Sequence, residues 1–237
     1  MKFSTKTLGW GQIPGDHYFQ LLTTEVLAEL PQNAVVLDAG CGQSLLPTYL
    51  PIRRRAFAYW GCDPDPQARQ NPSLDYFVAG ELDGAKFGDQ KFDLVMSSYV
   101  LEHLSDPLPF FCSARSVLRP GGTFAFLTCN RKHPFCQAVR LVERLHLKSM
   151  LRTTYGEASE SCWHINAYPA FYRANTMRQI FGLAEKAGFS SGKLFFVPGG
   201  WDGYFTKGLR FLPKTYDRYL AAKRKEGHLI LVGLFKA

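Results

Sequence analysis

Between residues 34 and 128, short apolar runs alternate with segments whose apolar positions recur every three or four residues. Ala34–Asp38, Ala56–Cys62, Leu74–Ala79, Phe92–Ser97 and Thr123–Thr128 read as strands. Their apolar positions are nearly continuous, as parallel strands covered on both faces require. Leu45–Leu50, Pro64–Gln70 and Leu108–Leu118 read as crossover helices between them. Asp16–Leu30 reads as a helix ahead of the first strand, with Asp16 as its cap and Leu21, Leu22, Val26 and Leu30 as its inward stripe. Beyond Thr128 the pattern loosens. Pro134–Leu147 predicts an amphipathic helix, Lys148–Pro169 is irregular, and Asn175–Ala187 predicts a helix stopped by Gly188. Ser191–Val197 and His228–Phe235 read as strands with a helix, Pro213–Lys225, between them. The repeating order predicts an α/β, Rossmann-like, doubly wound sheet with right-handed crossovers. It would be mostly parallel and seven-stranded, with an antiparallel last strand. Residues 1–237 form a single domain on this reading, with 131–173 as an insertion, a cap or lid, within it.

Composition narrows the class. The 237 residues are 46% hydrophobic, ordinary for a globular protein. No apolar run reaches the roughly 20 residues that cross a bilayer. The first ten residues lack the apolar core of a signal peptide, which predicts a cytoplasmic protein. Cys41, Cys62, Cys112, Cys129, Cys136 and Cys162 form no C-x-x-C pair and no clustered ligand spacing. Buried free thiols are therefore expected, with no disulfide framework and no metal. Charge divides the chain: residues 1–130 carry 10 basic and 13 acidic side chains, and residues 131–237 carry 18 and 7. An anionic partner (a charged acceptor, a membrane surface or nucleic acid) explains the basic half, and so does a plain solvated surface.

The strongest local signal is Val35-Val36-Leu37-Asp38-Ala39-Gly40-Cys41-Gly42. A buried strand ends in an acid, then a two-glycine turn opens, and a helix is expected to follow. Glycines let a ligand approach the main chain, and a helix N-terminus offers N–H groups to a carboxylate. An acid ahead of the turn would repel a phosphate and suits a ligand with an amino group. Asp63 lies about 20 residues on, at the end of the next strand, where a carboxylate accepts ribose hydroxyls. A helix cap is the plainer role for Asp63, with Pro64 and Asp65 following it.

These residues resemble class I S-adenosylmethionine-dependent methyltransferases, of the small-molecule type that includes the ubiquinone and menaquinone enzymes. Val78-Ala79-Gly80-Glu81-Leu82 looks like that family's third-strand turn. Phe92-Asp93-Leu94-Val95-Met96-Ser97-Ser98-Tyr99-Val100-Leu101-Glu102-His103 looks like its fourth strand and the turn beyond. Leu118-Arg119-Pro120-Gly121-Gly122-Thr123-Phe124 looks like the approach to its fifth. The chain departs from the pattern at Ser44, in place of a third glycine, and at Ala85-Lys86-Phe87, where Leu-Pro-Phe is common. The resemblance implies S-adenosylmethionine as cofactor, held by Asp38, Gly40, Cys41, Gly42, Asp63, Pro64, Glu81, Leu82, Ser97, Ser98 and Tyr99. Within that set Glu81 would meet the adenine amino group, with Leu82 beside the ring. His103 is the candidate catalytic base; a structural contact just before the helix is its plainer role. Residues 131–173 would lie on the acceptor side, with His164 lining the pocket and Tyr155, Trp163, Tyr168 and Tyr172 as walls; the plainer roles are an exposed loop histidine and aromatics packed against the sheet.

The expected function is methyl transfer to a small-molecule or lipid-linked acceptor, anionic in view of Arg131, Lys132, Arg152 and Arg173; peripheral membrane contact is compatible. Lys223, Arg224 and Lys225 read as a solvated helix end. A nucleic-acid methyltransferase is the alternative that the basic half favours. Ser97-Ser98-Tyr99-Val100 is not the Asp/Asn-Pro-Pro-aromatic turn of base-amino chemistry, and no Pro-Cys pair offers a nucleophile for cytosine. A non-catalytic S-adenosylmethionine-binding protein is a third reading, which the intact Asp38 and Asp63 oppose. The absence of Gly-x-Gly-x-x-Gly opposes a nicotinamide dehydrogenase.

Overall fold

The computed structural model describes residues 2–144, 169–202, 205, 207–223 and 225–237. Its strands are β1 (Lys2–Thr7), β2 (Ala34–Ala39), β3 (Ala56–Asp63), β4 (Tyr76–Ala79), β5 (Phe92–Ser98), β6 (Leu118–Cys129), β7 (Ser191–Val197) and β8 (Ile230–Lys236). Its helices are α1 (Tyr18–Glu29), α2 (Leu50–Arg55), α3 (Pro107–Val117), α4 (Pro134–Arg144), α5 (Met177–Ala187) and α6 (Phe211–Ala222). The strands form one sheet in the order β1-β7-β8-β6-β5-β2-β3-β4. All neighbours are parallel except β8, which runs antiparallel between β6 and β7. The mostly parallel, doubly wound sheet and its antiparallel last strand are therefore as expected.

Residues of alternate parity along each strand enter opposite apolar layers. Val36, Leu94 and Met96 pack on the side of α1, with Leu21, Leu22 and Val26. Leu37, Val95, Phe124 and Phe126 pack on the side of α3 and α5, with Phe110, Phe111 and Ile180. Burial on both faces accounts for the near-continuous apolar runs. Leu30, the last member of the α1 stripe, is buried as well.

Several local expectations are corrected. β1 is an eighth strand, paired in parallel with β7 from Lys2↔Ser191 to Thr7↔Phe196. Its sequence, KFSTKT, exposes most of its side chains and carries no apolar signature. α1 begins at Tyr18 with His17 as its cap, since Asp16 ends a 3₁₀ turn over Pro14–Asp16. The helix read over Leu45–Leu50 is a 3₁₀ turn, Pro47–Tyr49, and then α2. Proline belongs to a helix's first turn, so Pro51 starts the helix where the reading ended it. Pro64–Gln70 is a 3₁₀ turn over Pro66–Gln70, capped by Asp65. The residue before a proline avoids helical geometry, which holds Asp65 extended ahead of Pro66. Of the insertion, residues 131–144 and 169–173 are described; Arg152, Tyr155, Trp163, His164 and Tyr168 lie outside the described residues.

Candidate active site at the carboxyl edge

The chain runs outward from β2 to β4 and then returns to β5 on the other side of β2. That reversal opens a crevice beyond the carboxyl ends of β2 and β5, the usual ligand position in an open α/β sheet. Asp38, the glycine turn, Asp63 and Ser97–Tyr99 all stand at these strand ends.

Asp38 is buried and accepts a hydrogen bond from the Tyr59 hydroxyl at 3.2 Å. Burial pushes its carboxyl up to about 7; the Tyr59 bond opposes that rise and the nearby Asp63 charge adds to it. Such an acid is poised to ionise when a cation arrives. Gly40 and Gly42 both take positive φ, +79° and +53°. The Gly40 N–H donates to Cys62 O at 2.8 Å, which ties the turn to β3. A Cβ at Gly40 would collide with Val100, whereas one at Gly42 would enter open space. Gly42 is thus the turn position that faces room for a ligand. No helix opens directly behind the turn, contrary to the expected helix N-terminus; the next regular element is the 3₁₀ turn at Pro47.

Asp63 joins the two turns. One carboxylate oxygen accepts from Gly42 N and the other from Asp65 N, both at 2.9 Å. The helix-cap role passes to Asp65, whose side chain accepts from Gln67 N. Each Asp63 oxygen keeps a further lone pair for a hydroxyl donor. Pro64 is exposed beside it. The Gly80 N–H donates to Asp63 O at 2.9 Å and brings the third turn alongside. There Glu81 is exposed and Leu82 is buried in the apolar layer that holds Cys62 and Phe87. Cys41 is buried, and burial with the adjacent Asp38 charge pushes its thiol well above the ordinary range, so it stays protonated.

Ser97 is fully buried and donates to Ala39 O at 2.9 Å, locking β5 to the turn. Ser98 shares a 2.6 Å hydrogen bond with the Tyr49 hydroxyl. Tyr99 is a non-glycine residue at φ +57°, held by its N–H to Leu127 O at 2.9 Å. Strain of this kind persists where surrounding structure imposes it, and it concentrates at functional sites. His103 ends a 3₁₀ turn over Leu101–His103, and its Nδ1 lies 3.0 Å from Pro169 O. A carbonyl only accepts, so Nδ1 carries the proton there and Nε2 is the basic nitrogen.

Three contributors were not singled out from sequence. Asn71, buried, donates to Cys41 O and Gly42 O, each at 3.2 Å, and clamps the turn from below. Tyr59 holds Asp38. Glu102 is buried, accepts from Thr128 Oγ1 at 2.7 Å and has its carboxyl pushed up by burial. Asn-Pro at 71–72 signals a turn, but nothing local says that its amide reaches back 30 residues.

The sequence profile of a family described as a methyltransferase domain matches residues 13–190, three quarters of the chain. The chain belongs to this methyltransferase family. The match carries the glycine turn, both acids and the strands that present them. Among relatives, the methyltransferase is 34% identical over 117 residues to a ubiquinone biosynthesis O-methyltransferase of Cereibacter sphaeroides. That match covers 45% of this chain and 46% of the relative, so the chain spans about half the length of the curated relatives it matches. Its fold is similar to a Haloferax volcanii methyltransferase solved with the Trm112 activator (TM-score 0.57, 18% identity, 94% of this chain and 92% of that one). It is also similar in fold to a Haemonchus contortus phosphoethanolamine N-methyltransferase solved with S-adenosylhomocysteine (TM-score 0.54, 13% identity, 92% and 51%). S-adenosylmethionine is the cofactor that goes with this class of domain, and the site fits it on three structural counts. Gly42 faces open space, Asp38 is a buried acid at the strand end beside the turn, and Asp63 retains acceptor capacity.

Proposed function

We propose that this methyltransferase transfers the methyl group of S-adenosylmethionine to an oxygen, nitrogen or carbon of a small acceptor that carries negative charge, free or lipid-linked. The observation that carries the reading is the convergence of Asp38, Gly42 and Asp63 at one crevice. Asp38 would receive the cofactor's ammonium, which stabilises its ionised form. Asp63 would accept the ribose hydroxyls while holding the turn, and Glu81 and Leu82 would flank the adenine. The cofactor supplies an electrophilic methyl carbon, so the chain's main task is alignment, worth on the order of 7 to 11 kcal/mol. For an oxygen acceptor, His103 Nε2 is our candidate base.

The same edge, beyond β6, supports a negatively charged acceptor. Arg131, Lys132, Gln137 and Arg140 line a groove of about 670 Å³ that contains no acid among its described lining residues. Arg173 anchors the neighbouring segment through Ser105 O at 2.6 Å.

Calorimetry with S-adenosylhomocysteine, S-adenosylmethionine and NADH tests the cofactor assignment: binding of the first two and not the third is expected, and the reverse would remove it. Transfer of labelled methyl to acidic and neutral small-molecule pools tests the acceptor. Labelling confined to neutral acceptors, or equal at about 0.1 M and 1 M salt, would remove the electrostatic part, since screening shortens from about 10 Å to about 3 Å across that range.

A further inference from the structure

α6 presents two faces of opposite character. Inward, Pro213, Asp217 and Leu220 are buried. Asp217 accepts from Gly199 N at 3.1 Å and Trp201 Nε1 at 3.3 Å, and it lies 3.1 Å from His228 Nδ1. Outward, Phe211, Leu212 and Tyr219 stand 59%, 46% and 47% exposed, with Leu209 just ahead of the helix. Among the described residues ten large apolar side chains are exposed, and four of them fall in these 11 positions. Exposure so concentrated is the mark of a contact surface rather than of scattered surface apolar groups.

The same stretch is strongly cationic. Residues 207–225 contain Lys207, Arg210, Lys214, Arg218, Lys223, Arg224 and Lys225 against one acid, Asp217. That acid is fully buried and bound inward, so the charged side chains this stretch exposes are cationic. Lys214, Arg218 and Lys223 are exposed and have no ion-pair partner among the described residues.

Position adds to chemistry. β7 ends at Val197 and β8 begins at Ile230, which pair with each other, and Ile230 also faces Cys129 at the end of β6. The 198–229 connection that carries α6 therefore lies at the carboxyl edge, where the site opens. Exposed Phe171 stands at this edge as well, beside Arg173.

We propose that the outward face of α6 and the Leu209–Arg210 turn form a docking surface for an anionic lipid bilayer. Leu209, Phe211, Leu212 and Tyr219 enter the headgroup–acyl boundary while Lys214, Arg218 and Lys223 face the lipid phosphates. Apolar insertion joined to basic attraction is how amphipathic helices hold membrane interfaces. Charge complementarity chooses an anionic membrane over a neutral one. The aliphatic Leu209 and Leu212, which gain nothing from phosphate contact, choose a bilayer over nucleic acid. The surface stands whether or not the acceptor is lipid-linked, so it does not depend on the proposed substrate.

The test is flotation of the full chain with phosphatidylcholine vesicles, with and without phosphatidylglycerol. We expect retention on the anionic vesicles at about 0.1 M salt and at least about a tenfold loss at 1 M salt or on the neutral vesicles. Lys214→Glu with Arg218→Glu should weaken retention about tenfold or more. Phe211→Ser with Leu212→Ser should weaken it at unchanged charge. Both pairs are exposed, and unaltered S-adenosylhomocysteine affinity in each variant shows that the fold and cofactor site are intact. Equal retention on neutral and anionic vesicles would overturn the proposal, as would retention that neither pair alters. Binding to duplex DNA without binding to vesicles would overturn it too.

Discussion

The carboxyl edge of the sheet divides into two regions that handle charge in opposite ways. Between β2, β3 and β5, two carboxylates stand close to a turn whose main-chain N–H groups are already engaged. The groups there are close-packed and locked: Asn71 holds the turn's carbonyls, Ser97 holds Ala39, and Asp63 bridges two turns. Beyond β6, guanidinium and ammonium groups line an open groove, and α6 places more of them outward. The first arrangement suits one ligand of fixed shape, because preorganised donors and acceptors lose little on binding. The second suits attraction at a distance, which tolerates variation in what is attracted. A transferase that pairs one cofactor with a charged acceptor has use for both.

The sharpest way to break this contrast is through the glycine turn. Gly40→Val places a β-branched residue at φ +79° and drives it into Val100. We expect S-adenosylhomocysteine binding to be lost and stability to fall by about 2 to 3 kcal/mol, measured by calorimetry and urea denaturation. Normal binding by the variant would show that this turn is not the cofactor cradle. Gly42→Ala, whose Cβ meets open space, separates the two effects: about 1 kcal/mol of backbone strain and a loss of binding that exceeds it.

Asp63→Ala should weaken S-adenosylhomocysteine by about 1.5 to 3 kcal/mol, the scale of hydrogen bonds to a charged group. Circular dichroism must show the fold retained, since the turn also loses its acceptor for Gly42 N. Unchanged affinity would confine Asp63 to a structural role.

Asp38 supplies a smaller, pH-dependent effect. Its carboxyl titrates near 7 without a ligand, and only the ionised form attracts an ammonium. Affinity for S-adenosylhomocysteine should therefore level off above about pH 7 and fall up to about tenfold per unit below it. Asp38→Asn should bind more weakly and lose that slope. A wild-type profile that is flat between pH 5 and 7 would place the ammonium elsewhere.

The strands and the two acids at their ends were legible because each is a local pattern: a doubly covered parallel strand must be apolar throughout, and an acid before a glycine turn is read within eight residues. β1 was not, since an edge strand on an established sheet needs main-chain pairing more than side-chain burial, and KFSTKT satisfies the first without showing the second. α2 and the turn at Pro66 were displaced because Pro51, read as lying past a helix, and Pro66, read as interior to one, each stand in a first turn. His103 and Tyr99 were legible as positions in a motif, whereas the positive φ of Tyr99 and the Pro169 carbonyl on His103 were not.

What the sequence by itself determined is the alternation of strand and helix, the register of the glycine turn, the spacing of Asp38 and Asp63, and the split of charge between the two halves. These follow from periodicity, steric permission and composition, which a chain carries whether folded or not. The tertiary structure alone decided that Asn71 clamps the turn, that Asp63 bridges it to β3, and that Asp217 faces inward while the charged side chains α6 turns outward are cations. Each of these depends on groups far apart in the chain meeting at one strand end. Distance in space sets hydrogen bonding, burial and screening, and the chain has no such distances until the sheet closes.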